Sequence, residues 1–358
     1  FSMEIMRLTG SVLRGNQQQF RTLLARHLAR PGPEHFYYGD PRGGEALRQA
    51  LAAYLRQARG VRCEAASIVI TTGTQQGIDL VIRSALSPGD RVMVEDPCYP
   101  SARAAFSGNG LALCGLAVDA EGVDITLAAP GARAVYVTPS HQFPLGVTMS
   151  MRRRLALIDW AREAGGWIIE DDYDSEFRFA GPPLAAMQGM DDSGRVIYLG
   201  TFSKVLFPGL RLGYAVIPDP LLDTVVALRS RSDRSPPTLA EAALTDLIRE
   251  GHFAAHLRRT RRQAQAARDA LVAGLSTTDA LSVGVPDQGL HLVAGLPAAL
   301  ADTNAVEIAA RVGLGVRALS SMAVTNPPRQ GLVIGFSGFA PDVLQAAAAR
   351  FAAAISGF

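Results

Sequence analysis

Lysine is almost missing from this chain: of 35 basic residues, Lys204 alone carries an amine and the rest are arginine. A guanidinium neither deprotonates near neutral pH nor condenses with a carbonyl, so side-chain amine chemistry is confined to one position. Cysteine is also scarce. Cys63, Cys98 and Cys114 make an odd number without metal-ligand spacing, which argues against a disulfide framework and fits a reducing compartment. No run of about eighteen apolar residues occurs, so no transmembrane helix is expected. The opening F-S-M-E-I-M-R-L-T-G has no basic stretch leading into an apolar one, so no signal peptide is read and the cytoplasm is the expected location. Internal repeats and low-complexity tails are missing too. Neither sign of charge dominates: a formal net charge of +2 over 358 residues gives nucleic acid and anionic membranes no electrostatic handle.

What is present reads as a globular protein. Length alone suggests two domains, and the chain is 48% hydrophobic and 19% charged, an ordinary balance for a packed core. Residues 44–59, G-E-A-L-R-Q-A-L-A-A-Y-L-R-Q-A-R, place apolar side chains at helical spacing and stop at Gly60. S-I-V-I-T-T-G-T-Q-Q-G-I-D-L-V-I-R-S-A-L then reads as a short β-branched run, a glycine turn and an amphipathic helix. The rhythm returns in R-V-M-V-E-D-P-C-Y-P before a helix from about Ser101, in A-V-Y-V-T-P-S-H before a helix near 151–164, in G-W-I-I-E-D-D-Y and in R-V-I-Y-L-G-T-F-S-K. Strands alternating with helices predict an α/β fold with a mostly parallel sheet covered on both faces. Near Ser235 the S-P-P-T break changes the texture. A long helical stretch, 238–274, precedes short strand-like pieces, H-L-V-A-G and G-L-V-I-G-F, and an alanine-rich helix at 341–355. This predicts a smaller α+β domain formed by residues 1–36 and 236–358, beside a large domain over 37–235.

In an open parallel sheet, ligands bind beyond the carboxyl ends of the strands. The unusual polar residues here follow the apolar runs: Thr72 to Gln75, Asp96 to Tyr99, Ser140 to Gln142, Asp171 to Tyr173 and Thr201 to Lys204. Five strand ends are therefore expected to converge on one crevice. Taken singly, most have an ordinary explanation. The T-G-T turn reads first as a helix start whose hydroxyl caps amides. It reads second as a phosphate site, since free N–H groups and the helix dipole favour an anion and Gly73 lets a ligand approach the backbone. Tyr99 reads as core packing or as a flat stacking surface, and His141 as a satisfied loop histidine. Asp171 is harder to dismiss, because a carboxylate directly after W-I-I-E is costly to bury without a donor or a cation. Lys204 is the sharpest signal: an amine that attacks a carbonyl has to be lysine, and this chain fills its surface with arginine.

Together these segments resemble the fold type I family of pyridoxal-phosphate enzymes, the aspartate aminotransferase superfamily, and within it the aminotransferase-like domain of MocR/GabR-type regulators. The resemblance is carried by Y-Y-G-D-P-R-G, T-T-G-T-Q-Q-G, V-E-D-P-C-Y, V-T-P-S-H-Q-F-P-L-G-V-T-M, I-E-D-D-Y-D-S-E-F-R, Y-L-G-T-F-S-K-V-L-F-P-G-L-R-L-G-Y and G-H-F-A-A-H-L-R-R-T-R, in that order from about residue 36 to 262. It implies a seven-stranded, mostly parallel sheet flanked by helices in the large domain, and pyridoxal 5′-phosphate held as a Schiff base on Lys204. It further implies that Asp171 pairs with the pyridine nitrogen, that Tyr173 donates to the ring's phenolic oxygen and that Tyr99 stacks on the ring. Gly73, Thr74 and Gln75, with Thr201, Ser203 and Arg211, are implied to hold the phosphate. Tyr38 matches a tyrosine that reaches the phosphate of the neighbouring subunit, which implies a homodimer with shared sites. The implied activity is amino-group transfer on a small amine or amino acid, without a metal.

The sequence departs from the family pattern twice. About 35 residues precede Tyr37, too few for the winged-helix domain of the regulators, so a stand-alone enzyme or an effector domain without its DNA-binding part is expected. The family's C-terminal L-R-L-G-F, whose arginine grips the substrate carboxylate, reads Leu332-Val333-Ile334-Gly335-Phe336 here. Loss of such a charged pair costs about 1.5–3 kcal/mol. Arg14, Arg178 and Arg329 are the candidates to replace it. Three activities stay open: amino transfer, ligand sensing with little turnover, and another reaction at Cα such as racemisation or elimination.

Overall fold

The computed structural model describes residues 14–358, with side chains from Gln18 onward. Two helices, α1 (Arg14–Ala29) and α2 (Glu45–Arg59), precede the first strand. Leu47, Leu51 and Leu55 recur one turn apart on α2 and are buried, each such burial contributing about 1.5–3 kcal/mol. The helix stops where Gly60 adopts φ 64° and its N–H bonds the Leu55 carbonyl, a left-handed cap that glycine adopts without a Cβ penalty.

The main sheet contains β1 (Ile68–Thr71), β2 (Arg91–Asp96), β3 (Ala112–Asp119), β4 (Gly122–Val123), β5 (Ala132–Val137), β6 (Trp167–Asp172), β7 (Val196–Thr201) and β8 (Gly213–Val216). Their spatial order is β1-β8-β7-β6-β5-β2-β3-β4. Helices α3 (Thr74–Ala85), α4 (Pro100–Gly108) and α5 (Met151–Ala164) connect strands, and α6 (Asp219–Ser232) follows β8. The central strands β5, β6 and β7 are buried almost end to end, as strands covered on both faces must be. The mostly parallel sheet is present, with β8 and β4 running against their neighbours. It has eight strands where seven were expected, because the two-residue β4 turns back on β3, pairing Val123 with Val118. A strand that short has no periodicity to read and is set by its tertiary pairing.

The helical stretch expected over 238–274 is two helices, α7 (Thr238–Arg249) and α8 (His252–Leu275), separated at Gly251, whose φ of 78° cannot continue a helix. A second, antiparallel sheet follows, formed by β9 (Ser282–Val283), β10 (His291–Gly295), β11 (Arg317–Ala318) and β12 (Leu332–Gly335), with helices α9 (Asp302–Arg311) and α10 (Pro341–Ile355). Helix α10 lies along α8. Gly274 permits the close approach, since a Cβ there would stand 2.5 Å from the Gln345 carbonyl oxygen. One buried apolar cluster runs from Leu51 and Ile70 through Phe202 and Leu271 to Phe351. No helix among the described residues is long and apolar enough to cross a membrane.

Beneath the carboxyl end of β6 sits a buried ion pair. Arg59 Nε lies 2.7 Å from Asp172 Oδ2, its Nη2 donates to Ser140 Oγ at 2.8 Å, and the Tyr198 hydroxyl donates to the same carboxylate. Removing one member strands the other in an apolar interior. Arg59→Ala is therefore expected to destabilise the fold by about 3–5 kcal/mol in urea titrations; a loss under about 1 kcal/mol would show that water reaches Asp172.

Candidate active site

The carboxyl ends of β1, β6 and β7 open on a crevice of about 370 Å³, and ten of the eleven residues singled out from the sequence line it. One pole is the start of α3. Gly73 precedes the helix at φ 98°, and no side chain caps the first-turn N–H groups of Thr74 and its successors. The reading of T-G-T as a hydroxyl cap is thus replaced: Thr71 Oγ1 donates to the Gly73 carbonyl at 3.0 Å and leaves the amides open. The Arg211 guanidinium faces this turn, since a Cβ added to Gly73 would meet Arg211 Nη1 at 3.4 Å. Arg211 itself holds φ 52°, a costly conformation for a residue with a Cβ and one that gathers at functional sites. Thr201 ends β7, and its Oγ1 accepts from the Ser203 N–H at 3.1 Å. Open amides, a helix dipole, hydroxyls and a guanidinium make an anion site. Gln75, in the same first turn, donates from Nε2 to the Ser101 carbonyl at 3.1 Å.

Asp171 lies in the crevice on β6. Its Oδ2 accepts from the Tyr136 hydroxyl at 2.6 Å, while Oδ1, equally buried, has no partner. Burial, with Asp172 beside it, pushes this carboxyl up to about 7 against the pull of Tyr136 and Lys204. The site therefore holds a carboxylate with one oxygen fixed and the other waiting for a donor. Lys204, in the loop after β7, lines the same crevice; burial lowers its pKa, Arg317 adds to the lowering, and Asp174 and Asp171 oppose it. The amine is thereby moved towards the uncharged form that attacks carbonyls and takes protons.

Two tyrosines complete the walls. Tyr99 meets Phe143 edge-on, with ring centroids 5.4 Å apart and planes at 82°. The Tyr173 hydroxyl donates to the His141 carbonyl at 3.0 Å, and His141 Nδ1 lies 2.9 Å from Asp174 Oδ2. His141 stands one layer behind Tyr173, so its partners are structural. Asp96, another polar strand end, is also occupied elsewhere: its carboxylate accepts the N–H groups of Val324, Thr325 and Asn326 at 2.7–2.9 Å. The converging strand ends thus form two layers, one lining the crevice and one bracing it. Tyr38 is not in the crevice. It is 82% exposed, with the Arg234 guanidinium 5.3 Å above its ring.

Tyr136, His291 and Arg317 line the crevice without having been singled out. Tyr136 sits inside the apolar run A-V-Y-V, where its only signal was a hydroxyl on a strand that burial would force to find a partner. His291 opens β10, and burial beside His141 holds its pKa well below the usual histidine value. Of the arginines proposed to replace the one missing at position 333, Arg178 donates to Gln288 Oε1 at 2.8 Å and Arg329 to the Val118 carbonyl at 2.6 Å. Neither lines the crevice, and the Arg14 side chain lies outside the described residues.

With this fold and this crevice, the chain belongs to the aminotransferase class I and II family, whose model matches residues 4–351. It is 40% identical over 327 residues to the probable rhizopine catabolism regulatory protein MocR of Rhizobium meliloti, covering 90% of this chain and 66% of that one. The chain spans just under two thirds of the length of the first curated relatives it matches. Among solved structures it is similar to a kynurenine aminotransferase of Pyrococcus horikoshii in complex with PMP, KYN and KYA, with TM-score 0.87 and 26% identity over 95% of this chain and 87% of that one. It is likewise similar to LysN, an α-aminoadipate aminotransferase of Thermus thermophilus complexed with N-(5′-phosphopyridoxyl)-L-leucine, with TM-score 0.87 and 25% identity over 100% and 91% of the two chains. The architecture is the aspartate aminotransferase-like fold type I.

Proposed function

We propose that this chain binds pyridoxal 5′-phosphate covalently through Lys204 and moves amino groups between small amines or amino acids and keto acids. The observation that carries the reading is Asp171 Oδ1, a buried carboxylate oxygen with no donor, in a crevice that also contains an anion site. A protonated pyridine nitrogen supplies that donor. A phosphate suits the α3 start at Gly73, Thr74 and Gln75, with Thr201, Ser203 and Arg211 around it. The residues present therefore fit this cofactor at both ends, within a cavity of the right order of size.

When bound, the cofactor supplies an electron sink for the pair left at the substrate's Cα. Asp171 keeps the ring nitrogen protonated, with Tyr136 fixing the carboxylate's second oxygen. Tyr99 would offer a flat face to the ring, and Tyr173, by turning its hydroxyl hydrogen from the His141 carbonyl, would donate to the ring's phenolic oxygen. Lys204, its pKa lowered by burial, would take the proton from the substrate's Cα and deliver it to the cofactor carbon that carries the amino group. Tyr38, exposed beside Tyr37 and Phe36, reaches the phosphate of a second copy, so the working unit is a homodimer with shared sites. Residues 37–235 form the cofactor domain, and 236–358 with 14–36 form the small domain; residues 1–13 of the expected 1–36 segment lie outside the described residues.

A second reading, an effector-sensing domain that takes up an amine and turns over little, is favoured by the 40% identity with a regulator that is longer than this chain. Both are tested by adding amines and amino acids, then a keto acid, to the cofactor-loaded protein while following absorbance and product. Repeated conversion of excess keto acid to amino acid supports transfer. One spectral change without amino acid product supports sensing, and no change with any amine contradicts both.

A further inference from the structure

Lys204, Arg211 and Arg317 are the cations that line the crevice. Lys204 carries the amine chemistry, and Arg211 faces the start of α3. Arg317 comes from the other sheet, on the two-residue β11, where its ladder partner is Val333 of β12. Residues directly opposite in a ladder project from the same face of the sheet, so Arg317 and Val333 share the face turned to the crevice. Val333 is 2% exposed and packs with Phe143, Leu319 and Met322 into an apolar patch, which leaves Arg317 as the cation on that wall, beside the buried His291 of β10. Among the described residues no carboxylate pairs with Arg317. Arg317 is exposed at the rim of the crevice, close enough to the amine to press on its charge and without a counter-ion of its own, an arrangement open to an anion brought from outside.

We propose that Arg317 anchors the carboxylate of an amino-acid substrate whose amino group is presented to Lys204. The inference rests on the reading of Lys204 given above. The phosphate is not the anion concerned, because the α3 start and Arg211 already provide for it on a different element. The planar fork of a guanidinium suits a carboxylate's two oxygens, and the apolar patch around Val333 strengthens the pairing by keeping water from one side. Seen this way, the cation absent at position 333 has an equivalent directly across the ladder. Anchoring would also cancel the repulsion that Arg317 exerts on Lys204, so that the lysine takes up the Cα proton more readily once a carboxylate is seated.

The test uses cofactor-loaded native protein, Arg317→Gln and Arg317→Lys. L-Alanine, L-glutamate and 4-aminobutanoate are titrated against ethylamine and butylamine, and half-saturation is read from the absorbance of the loaded site. A second readout is the thermal shift produced by propionate and glutarate, which have carboxylates but no amine. Native protein is expected to favour at least one carboxylate-bearing amine, Arg317→Gln to weaken that amine relative to the plain amines by about tenfold to a hundredfold, and Arg317→Lys to fall between. The carboxylate-induced thermal shift should vanish in Arg317→Gln. A loaded Arg317→Gln protein that keeps the native preference and thermal shift overturns the proposal, as does native protein with no preference at all. Native protein that fails to form a borohydride-stable cofactor adduct refutes instead the reading on which the proposal rests.

Discussion

Replacing Lys204 with alanine is expected to abolish covalent attachment of the cofactor and to lower amino transfer by about four orders of magnitude or more, since nucleophile and proton carrier are lost together. The sharper variant is Lys204→Arg. It restores a positive charge in the crevice, yet a guanidinium cannot give up its proton at neutral pH. If the position needed only charge, as Arg211 does, Lys204→Arg would recover much of the activity. Here it is expected to be as inactive as Lys204→Ala. The fold should survive both changes, because the buried core around β7 is made by Ile197, Leu199 and Phe202 rather than by the lysine. The measurements are amino acid product formed per protein chain and the circular dichroism of each variant.

Asp171→Asn is expected to separate stability from function. In the loaded protein it removes the acceptor for the ring nitrogen, and activity should fall about a hundredfold to a thousandfold. In the chain stripped of cofactor the same change should stabilise, because the buried carboxylate has an unpartnered oxygen and a carboxyl pushed up to about 7. The direction with pH follows from linkage. The unfolded carboxyl titrates near 3.8 and the folded one at about 7. Below the first value both states keep the proton, so burial carries no ionic penalty; the penalty grows as pH rises between the two values and is constant above the second. The advantage of Asp171→Asn should therefore be small near pH 4, and reach on the order of 4 kcal/mol above about pH 7. Urea denaturation of both stripped proteins at the two ends of this range measures it. A variant less stable than the native chain at high pH would mean that Asp171 is held by a donor in the fold itself.

The contrast between these two residues and their surroundings explains what could be read from the sequence. Lys204, Asp171 and Gly73 were legible because chemistry or backbone geometry restricts each position to very few residue types, and each sits at the end of an apolar run. The parallel direction of β2, β5, β6 and β7 was legible for a related reason, though their spatial order was not: doubly covered strands leave short unbroken apolar segments between helices. Residues acting through tertiary placement were not. Tyr136 looks like core until β5 lies beside β6, and Arg317 belongs to a two-residue strand that exists only because β12 pairs with it. Gly251 was passed over because the residues on both sides have helical spacing, and only its left-handed backbone marks where α7 ends and α8 begins. His141 gives the opposite lesson: its strand-end cluster suggested the crevice, but the reading of it as a satisfied loop histidine agrees with its partners, Asp174 and Tyr173, behind the wall.

The central claim is that this crevice binds its cofactor through the one amine the sequence retains. Incubation with pyridoxal 5′-phosphate, reduction with borohydride and peptide mass mapping test it directly, because Lys204 is the only lysine in the chain. The account predicts one phosphopyridoxyl adduct per chain, on the peptide containing G-T-F-S-K, and none in Lys204→Ala. Absence of an adduct on that peptide in the native protein, or an equal adduct confined to the chain's amino terminus, would contradict it.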